Sequence, residues 1–431
     1  RAARPSGRSM LRKPYSTAAS RRIDLPRPKS SPAPRGIAGL LAALATLGPF
    51  SIDTYLPSFG DIGASLAATV LQVQQTLTAY LMPFALMTLW HGAISDALGR
   101  RRVILVTVAL FAMASAGCMF ATRIEHLWVM RALQGMTAGA GIVVCRAIVR
   151  DLYDGPPAQR LISQITMIFA LAPVLAPLLG GWLQVWFGWR SVFAFLVLFS
   201  ATLWCACWFL LPETLLREQR QPLHPAYLAR SYWKVLTAPA FLLVCGALAF
   251  NFAGFFLYVL SAPTFLMRHL GVSATGFVWL FGPAMSGLMV GAWLSGRLAD
   301  KWPGRCTIAA GYLLMIAAAT CNLALNLVMP PSLPWTVLPL FGYTLGMSLA
   351  MPCLTLQALD FFPEQRGLAA SCQTFLQSGC NTLAAGLIAP LLWGSTLTLA
   401  IGMGSFLLAG AFATVLQQRL ASPAPRVACL P

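Results

Sequence analysis

A short turn rich in glycine and arginine joins two long apolar runs in the first half of the chain. It reads Gly92-Ala93-Ile94-Ser95-Asp96-Ala97-Leu98-Gly99-Arg100-Arg101-Arg102, where one apolar run, at 75–98, ends and another, at 103–122, follows. An α-helix needs about 20 apolar residues to cross the hydrocarbon core of a bilayer. Both runs have this length, so the stretch predicts two membrane-spanning helices joined by a basic loop.

Apolar runs of similar length continue over most of the chain. Hydrophobic residues make up 58% of the 431 positions and charged residues only 10%, whereas about 25% of a typical soluble domain is charged. This composition excludes a water-soluble fold. We predict an all-α membrane protein with twelve transmembrane helices, at 36–59, 75–98, 103–122, 127–149, 159–187, 190–211, 239–267, 274–298, 306–328, 334–359, 365–393 and 396–417.

The predicted spans divide into two pseudo-symmetric halves. We expect a disordered basic cytoplasmic tail (1–35), an N-terminal six-helix bundle (36–211), a cytoplasmic linker (212–238), a C-terminal six-helix bundle (239–417) and a cytoplasmic C-terminal tail (418–431). A weak internal repeat supports the division, because Gly296-Arg297-Leu298-Ala299-Asp300, followed by Gly304-Arg305, is similar to the turn at 92–100. Repeats of this kind are typical of transporters whose two halves flank a central site.

The basic residues lie mainly on one side of this layout. With both termini in the cytoplasm, 26 of the 30 Lys and Arg residues are cytoplasmic, 3 lie on the opposite side, and Arg131 lies in a span. The positive-inside rule therefore predicts a multi-pass inner-membrane protein in this orientation. The basic tail could also be a mitochondrial transit peptide, or an artefact before Met10. No basic-and-aromatic surface indicates a nucleic-acid partner.

The turn at 92–102 resembles motif A of the major facilitator superfamily, which joins the second and third helices of that fold. Its glycines allow close helix packing, and its aspartate can accept hydrogen bonds from nearby arginines or helix N-termini. The resemblance implies that a charge cluster holds the cytoplasmic side of the two bundles together and releases as they rock. Its predicted members are Gly92, Asp96, Gly99, Arg100 and Arg101. The family usually has Arg where this chain has Ala97, so the cluster is expected to be weaker or to use Arg100 alone.

Three further stretches resemble the same superfamily. Arg131-Ala132-Leu133-Gln134-Gly135 is similar to its motif B, and Pro173, Pro177, Gly180 and Gly181 are similar to motif C of its drug/proton antiporters. A kinked structural helix is the alternative for the latter. Asp53-Thr54-Tyr55-Leu56-Pro57 is similar to the bicyclomycin and chloramphenicol resistance (Bcr/CflA) branch. The resemblance covers about 36–417 and implies a proton-coupled antiporter that exports small, largely apolar molecules by alternating access.

Asp53 and Arg131 are the predicted proton-coupling residues. Among the twelve acidic residues, Asp53 is the one that falls well inside a predicted span. A charged Asp at the bilayer centre costs about 2.5–3.5 kcal/mol on insertion scales, so such a residue indicates function. The resemblance puts both residues in the first bundle, facing the cavity. We predict that protonation of Asp53 weakens its pairing with Arg131; a static ion pair is the alternative.

Polar and aromatic residues inside the spans are the candidates for substrate binding. They are Tyr80, Asn251, Tyr258, Phe255, Gln164 and Gln357, together with Gln373 and Gln377. Hydrogen bonding between helices is the alternative role for each of them. We expect no cofactor other than a proton gradient, no metal and no enzymatic activity, because the sequence lacks a catalytic triad, a metal-ligand cluster and a phosphate-binding loop. The expected partners are the lipid bilayer, protons and a small-molecule substrate, and the protein is expected to be a monomer. A carrier of an amino acid or a sugar and a transporter-like receptor are the alternative functions.

Overall fold

The computed structural model describes residues 36–153, 156–220, 225–298, 301–362 and 366–420, and these parts of the chain form helices and short connections without a strand. The helices are α1 (Ile37–Ser65), α2 (Val70–Leu98), α3 (Arg100–Met119), α4 (Ile124–Leu152), α5 (Pro156–Phe187), α6 (Arg190–Leu210), the linker helix (Pro225–Leu236), α7 (Pro239–Leu260), α8 (Ala274–Leu298), α9 (Gly304–Val328), α10 (Leu338–Asp360), α11 (Arg366–Leu383) and α12 (Thr396–Leu420). The tail predicted at 1–35 lies outside the described residues.

The helices agree with the predicted all-α membrane fold. Within the described residues, ten of them are long and apolar enough to cross a membrane by themselves. The other two membrane-length helices are α5, whose apolar part is Leu171–Phe187, and α11, which is extended by a π-helical turn at Ala384–Ile388 and a short turn at Ala389–Leu391. Both correspond to predicted spans.

Local sequence explains where α2 begins and ends. The Thr69 hydroxyl accepts a hydrogen bond from the backbone N–H of Gln72 at 3.2 Å, and the Thr69 N–H donates to the Gln72 side chain at 2.9 Å. This capping box satisfies N–H groups that a helix start leaves unpaired. Gly99 ends the helix with φ of 101°, a region that side chains disfavour. The next residue, Arg100, begins α3.

The same helix pairs form in both halves of the molecule. In the first half, α4 packs against α2 and α3, and α3 packs against α6. In the second half, α10 packs against α8 and α9, and α9 packs against α12. Adding six to each helix number of the first half gives the helix pairs of the second half. The packing therefore repeats the internal symmetry that the sequence indicated.

Two equivalent helix pairs join the halves to each other, α2 with α11 and α5 with α8.

The bundle has two ends. We call the end that carries the turn at 99–102, the linker helix and the start of α1 the basic end, and the opposite one the far end. Tryptophans lie exposed near both ends of both halves: Trp186 and Trp208 in the first, Trp335 and Trp302 in the second. Tryptophan is enriched at membrane–water interfaces.

Candidate transport cavity

A cavity of about 490 Å³ lies between the two halves, within the size range of small-molecule sites. Residues from α1, α2, α4 and α5 line one side of it, and residues from α7, α8, α10 and α11 line the other. Most of the lining is aromatic or aliphatic, and it includes Phe84, Phe169, Phe252, Phe255, Phe256, Phe281, Met285, Met347 and Met351. Such a surface favours apolar ligands of variable shape, because methionine side chains adapt to their neighbours.

Asp53 and Arg146 are the charged residues in this lining. Asp53 is the last residue of the helical segment Leu47–Asp53, where α1 breaks before a 3-10 turn at Leu56–Ser58. Its side chain is 95% buried (5% exposed), and it forms no ion pair within 4 Å among the described residues. Broken helices near the middle of a transporter commonly form its ion and substrate sites. The predicted position of Asp53 in the central cavity therefore matches the structure.

Arg131 is fully buried and is held by α1 rather than by Asp53. Its Nη1 donates to the Ser51 carbonyl oxygen at 2.9 Å, to the Ser51 hydroxyl at 3.0 Å and to the Gln134 side-chain oxygen at 2.9 Å. The guanidinium also lies 4.8 Å from the centre of the Tyr55 ring and 4.5 Å from that of the Tyr80 ring. These contacts fix α4 to the segment that ends at Asp53.

The predicted pairing of Asp53 with Arg131 is wrong for this conformation. Residues two apart on a helix point about 200° away from each other. Ser51 faces Arg131, so Asp53, two residues later, faces the cavity instead. The sequence identified both residues, but it contained no information on which α1 side chain Arg131 contacts.

Tyr80 lies near both Arg131 and Asp53, and it does not line the cavity as the substrate prediction required. It is fully buried, and its hydroxyl has no hydrogen-bond partner in the described part of the chain. It is close enough to both Arg131 and Asp53 to interact electrostatically with them. Its position favours a role behind the cavity wall, next to the two charged groups.

Of the remaining predicted substrate contacts, some line the cavity and others do not. Phe255 lines the cavity. Asn251 and Tyr258 do not; they form helix–helix hydrogen bonds, from the Asn251 amide to the Tyr312 hydroxyl at 2.9 Å and from the Asn322 amide to the Tyr258 hydroxyl at 2.7 Å. Gln357 also lies outside the lining, and the side chain of Gln164 lies outside the described residues. The alternative of helix–helix bonding is therefore the correct one for Asn251 and Tyr258.

One of the lining residues that the sequence did not single out is charged. Arg146 was counted with the cytoplasmic basic residues, although it lies inside the predicted span 127–149; α4 continues to Leu152 and carries Arg146 on its cavity face. Its neighbours in the lining, Ile142, Cys145 and Val149, follow helical spacing with it. That spacing was the signal in the sequence, and the positive-inside count obscured it.

The motif A residues form a charge cluster at the basic end. Arg100 contacts Asp96 at 2.5 Å and Asp151 at 3.1 Å, and its backbone N–H donates to Glu213 at 2.9 Å. Arg101 donates to the Trp208 carbonyl oxygen at 2.6 Å. A side chain at Gly99 would collide with Glu213, and Gly92 faces Val143 of α4.

This cluster joins α2, α3, α4 and the segment that follows α6. These elements belong to the first half or to the stretch of chain that leaves it. The expectation that it holds the two bundles together is therefore wrong for the contacts in this conformation. Arg100 makes three of these contacts and Arg101 a further one, so the cluster depends mainly on Arg100 but does not use it alone. Because the cluster lies within the first half, separation of the bundles at this end would leave it intact.

The motif C residues lie where α5 meets both α1 and α8. A Cβ atom at Gly180 would collide with the backbone oxygen of Thr54 in α1, whereas one at Gly181 would collide with that of Ala274 in α8. The two glycines therefore allow the helix backbone to touch one neighbour in each half of the molecule. One turn later the Gln184 amide donates to Asp61, and about two turns earlier Pro173 lines the cavity. Pro177 lies between these positions inside the helix.

A second contact between the bundles, equivalent to that of Gly181, lies on the other side of the far end. It involves Gly386, in the π-helical turn that extends α11. The Gln75 amide donates to the Gly386 carbonyl oxygen at 3.4 Å, and a Cβ at Gly386 would lie 3.2 Å from the Thr78 side chain. Both interbundle contacts, at Gly181 and Gly386, lie toward the far end. They hold the two halves against each other on that side of the cavity.

Comparisons with known proteins agree with this architecture. The family model described as Major Facilitator Superfamily matches residues 40–385. A chloramphenicol resistance protein of Pseudomonas aeruginosa is 31% identical over 76% of this chain and 77% of its own length. A bicyclomycin resistance protein homolog of Haemophilus influenzae is 29% identical over 65% of this chain and 69% of its own length.

A solved structure shares the fold. The bacterial homolog of the human lysosomal transporter Spinster superposes with a TM-score of 0.64 at 18% identity, over 92% of this chain and 100% of that one. The resemblance found in the sequence, including that to the bicyclomycin and chloramphenicol resistance branch, is confirmed by these matches. The chain belongs to the Major Facilitator Superfamily and is a multi-pass membrane transporter, not an enzyme.

Proposed function

We propose that the protein is a proton-coupled antiporter that exports small, largely apolar, drug-like molecules from the cytoplasm. The observation that carries this proposal is the buried carboxylate of Asp53 in a mostly aromatic and aliphatic cavity between two bundles. The printed names of the two relatives, a chloramphenicol and a bicyclomycin resistance protein, support drug-like substrates. The few polar lining groups favour such molecules over sugars.

The basic end faces the cytoplasm in this proposal, with both termini on that side of the inner membrane. The positive-inside count supports the orientation. Because the interbundle contacts at Gly181 and Gly386 close the far end, the conformation is then inward-facing. The cavity reaches Arg146 and Val149, in the last two turns of α4 toward the basic end. Residues 36–211 and 239–417 move as two bundles, and a monomer is sufficient for transport.

Proton and substrate compete for the cavity through Asp53. A charged carboxylate in hydrocarbon costs about 2.5–3.5 kcal/mol on insertion scales, so neutralising it by protonation stabilises an empty cavity as it recloses. When the cavity opens to the cytoplasm, Asp53 releases its proton and the site accepts a new substrate. Each net charge moved inward gains about 2.3 kcal/mol per 100 mV of membrane potential. No cofactor takes part.

Arg131 transmits the state of Asp53 to the rest of the bundle. The segment Leu47–Asp53 carries Ser51, which holds Arg131, and Asp53, which faces the cavity. A shift of this short segment on protonation therefore moves the contact with α4 as well. This replaces direct ion pairing as the coupling step.

Transport by reconstituted protein tests the proposal. Proteoliposomes with an imposed pH gradient should transport radiolabelled chloramphenicol against its concentration gradient with the wild type, and Asp53→Asn should reduce gradient-driven transport by at least about tenfold because the carboxamide cannot carry the proton. Glu125→Gln is the matched control, since Glu125 is an exposed acid at the far end of α4, and it should transport like the wild type. Full proton-driven transport by Asp53→Asn would remove the proposed proton carrier.

A further inference from the structure

One face of α11 presents four uncharged polar residues to the cavity. Thr374, Gln377, Ser378 and Asn381 all line it, and their spacing of three, one and three residues puts them on one helix face. We call this set the polar stripe. Elsewhere in the lining, polar side chains are few and do not recur on one helix, so the stripe concentrates the uncharged hydrogen-bonding capacity of the cavity on the second bundle.

Three members of the polar stripe have no hydrogen-bond partner among the described residues. The side chains of Gln377, Ser378 and Asn381 form no such bond to the protein, and Asn381 is 8% exposed with its side-chain oxygen buried and unpaired. Buried polar atoms are nearly always paired, and each exception requires an explanation. Outside the stripe, the Asn322 amide is paired with a neighbouring helix, whereas the side-chain oxygens of Asn251 and Asn326 are also buried without a partner. The members of the stripe differ from these two residues because they line the cavity.

The helix beside the polar stripe has the complementary surface. α7 packs against α11, and its residues Phe252, Phe255, Phe256 and Val259 line the cavity with the same spacing. On the outer side of α7, the Asn251 amide donates to Tyr312 and the Tyr343 hydroxyl donates to the Asn251 carbonyl oxygen at 3.0 Å. These bonds hold the aromatic face in place, so the two helices form one wall with an aromatic half and a hydrogen-bonding half.

We propose that the polar stripe is a subsite for the neutral amide and hydroxyl groups of an aromatic substrate whose ring packs on Phe252, Phe255 and Phe256. The amides of Gln377 and Asn381 each offer donors and an acceptor, and Ser378 offers a hydroxyl. None of them carries a charge, and the charged lining residues, Asp53 and Arg146, belong to the first bundle. The subsite therefore selects hydrogen-bonding capacity rather than charge. This inference rests on the proposed export of drug-like molecules.

Equilibrium binding to purified protein in detergent tests the subsite without any proton gradient. Two radiolabelled probes differ in the relevant property: chloramphenicol is neutral and aromatic with an amide and hydroxyls, and tetraphenylphosphonium is aromatic but has no hydrogen-bonding group. Removing one side chain of the stripe leaves a substrate group unpaired. Gln377→Leu and Asn381→Leu should each weaken chloramphenicol binding by about tenfold and change tetraphenylphosphonium binding by less than about twofold.

Gln373→Leu is the matched control on the same helix. Its amide donates to Thr355 at 3.4 Å and it lies outside the lining, so it should leave both affinities unchanged. Unchanged chloramphenicol binding by the two stripe variants, or an equal loss for both probes, overturns the subsite while leaving the proposed function intact. A wild type that binds neither probe overturns the proposed function and the subsite together.

Discussion

At the scale of single residues, the fully buried Arg131 illustrates how a charge is accommodated inside a membrane bundle. Its guanidinium donates hydrogen bonds to Ser51 and Gln134 and lies over two tyrosine rings. All three hydrogen bonds come from its Nη1, and its Nε and Nη2 have no hydrogen-bond partner among the described residues. A planar guanidinium can stack on aromatic rings while it donates, which a lysine ammonium does less well, so we expect the site to favour arginine over another positive charge.

Arg131→Lys is expected to destabilise the protein by about 2 kcal/mol, because buried polar groups of Ser51 and Gln134 lose their partner. Thermal unfolding in detergent, followed by intrinsic fluorescence, measures the effect as a lower melting temperature. Arg123→Lys is the control, since Arg123 lies exposed just before α4, and it should leave the melting temperature unchanged. Equal melting temperatures for Arg131→Lys and the wild type would contradict a specific role of the guanidinium.

At the scale of helices, α5 contacts both halves of the molecule through two consecutive glycines. Gly180 faces Thr54 within its own bundle, and Gly181 faces Ala274 of the other bundle. Because Gly180 contacts its own bundle, we expect a methyl group there to disturb packing that stays in place when the bundles move. We expect a methyl group at Gly181 to disturb only the contact between the bundles at the far end.

Gly180→Ala should therefore lower the melting temperature. Gly181→Ala should instead shift the conformational equilibrium of the transporter toward an open far end, and so accelerate amide hydrogen exchange at 274–277 by several-fold. Hydrogen–deuterium exchange with mass spectrometry measures the second effect. Gly404→Ala is the control, because a Cβ atom at Gly404 on α12 would lie in open space. Gly188 also has open space around it, but its φ of 77° would strain an alanine. Identical behaviour of the two glycine variants would contradict separate roles.

At the scale of the whole molecule, the orientation can be tested directly. Fusions of alkaline phosphatase, which is active only outside the cytoplasm, should be active after Gly394 and inactive after Leu420, because these positions lie at opposite ends of α12 and the positive-inside rule puts the basic end in the cytoplasm. Enzyme activity normalised to fusion protein in intact cells is the measurement. The reverse pattern would invert the proposed direction of transport.

The sequence predicted the helices well because span length and apolar composition are local properties. It also identified Asp53 and Arg131, since a charge inside an apolar run is visible without a structure. It failed where the answer depended on the rotation of one helix against another: Ser51, not Asp53, faces Arg131, and Asn251 faces Tyr312 instead of the cavity. Arg146 was missed for a related reason, because the end of an amphipathic helix and the start of a basic loop have similar composition.

The exposed tryptophans near both ends of each half limit how this transporter can move. An indole ring prefers the headgroup layer over both water and hydrocarbon, so Trp186 and Trp208 in one half, and Trp335 and Trp302 in the other, resist displacement along the membrane normal. A lift-like motion of one half against the other would drag anchored rings out of that layer. Tilting of the two halves about an axis in the membrane plane leaves each ring closer to its original depth, so we expect the substrate to change sides by tilting.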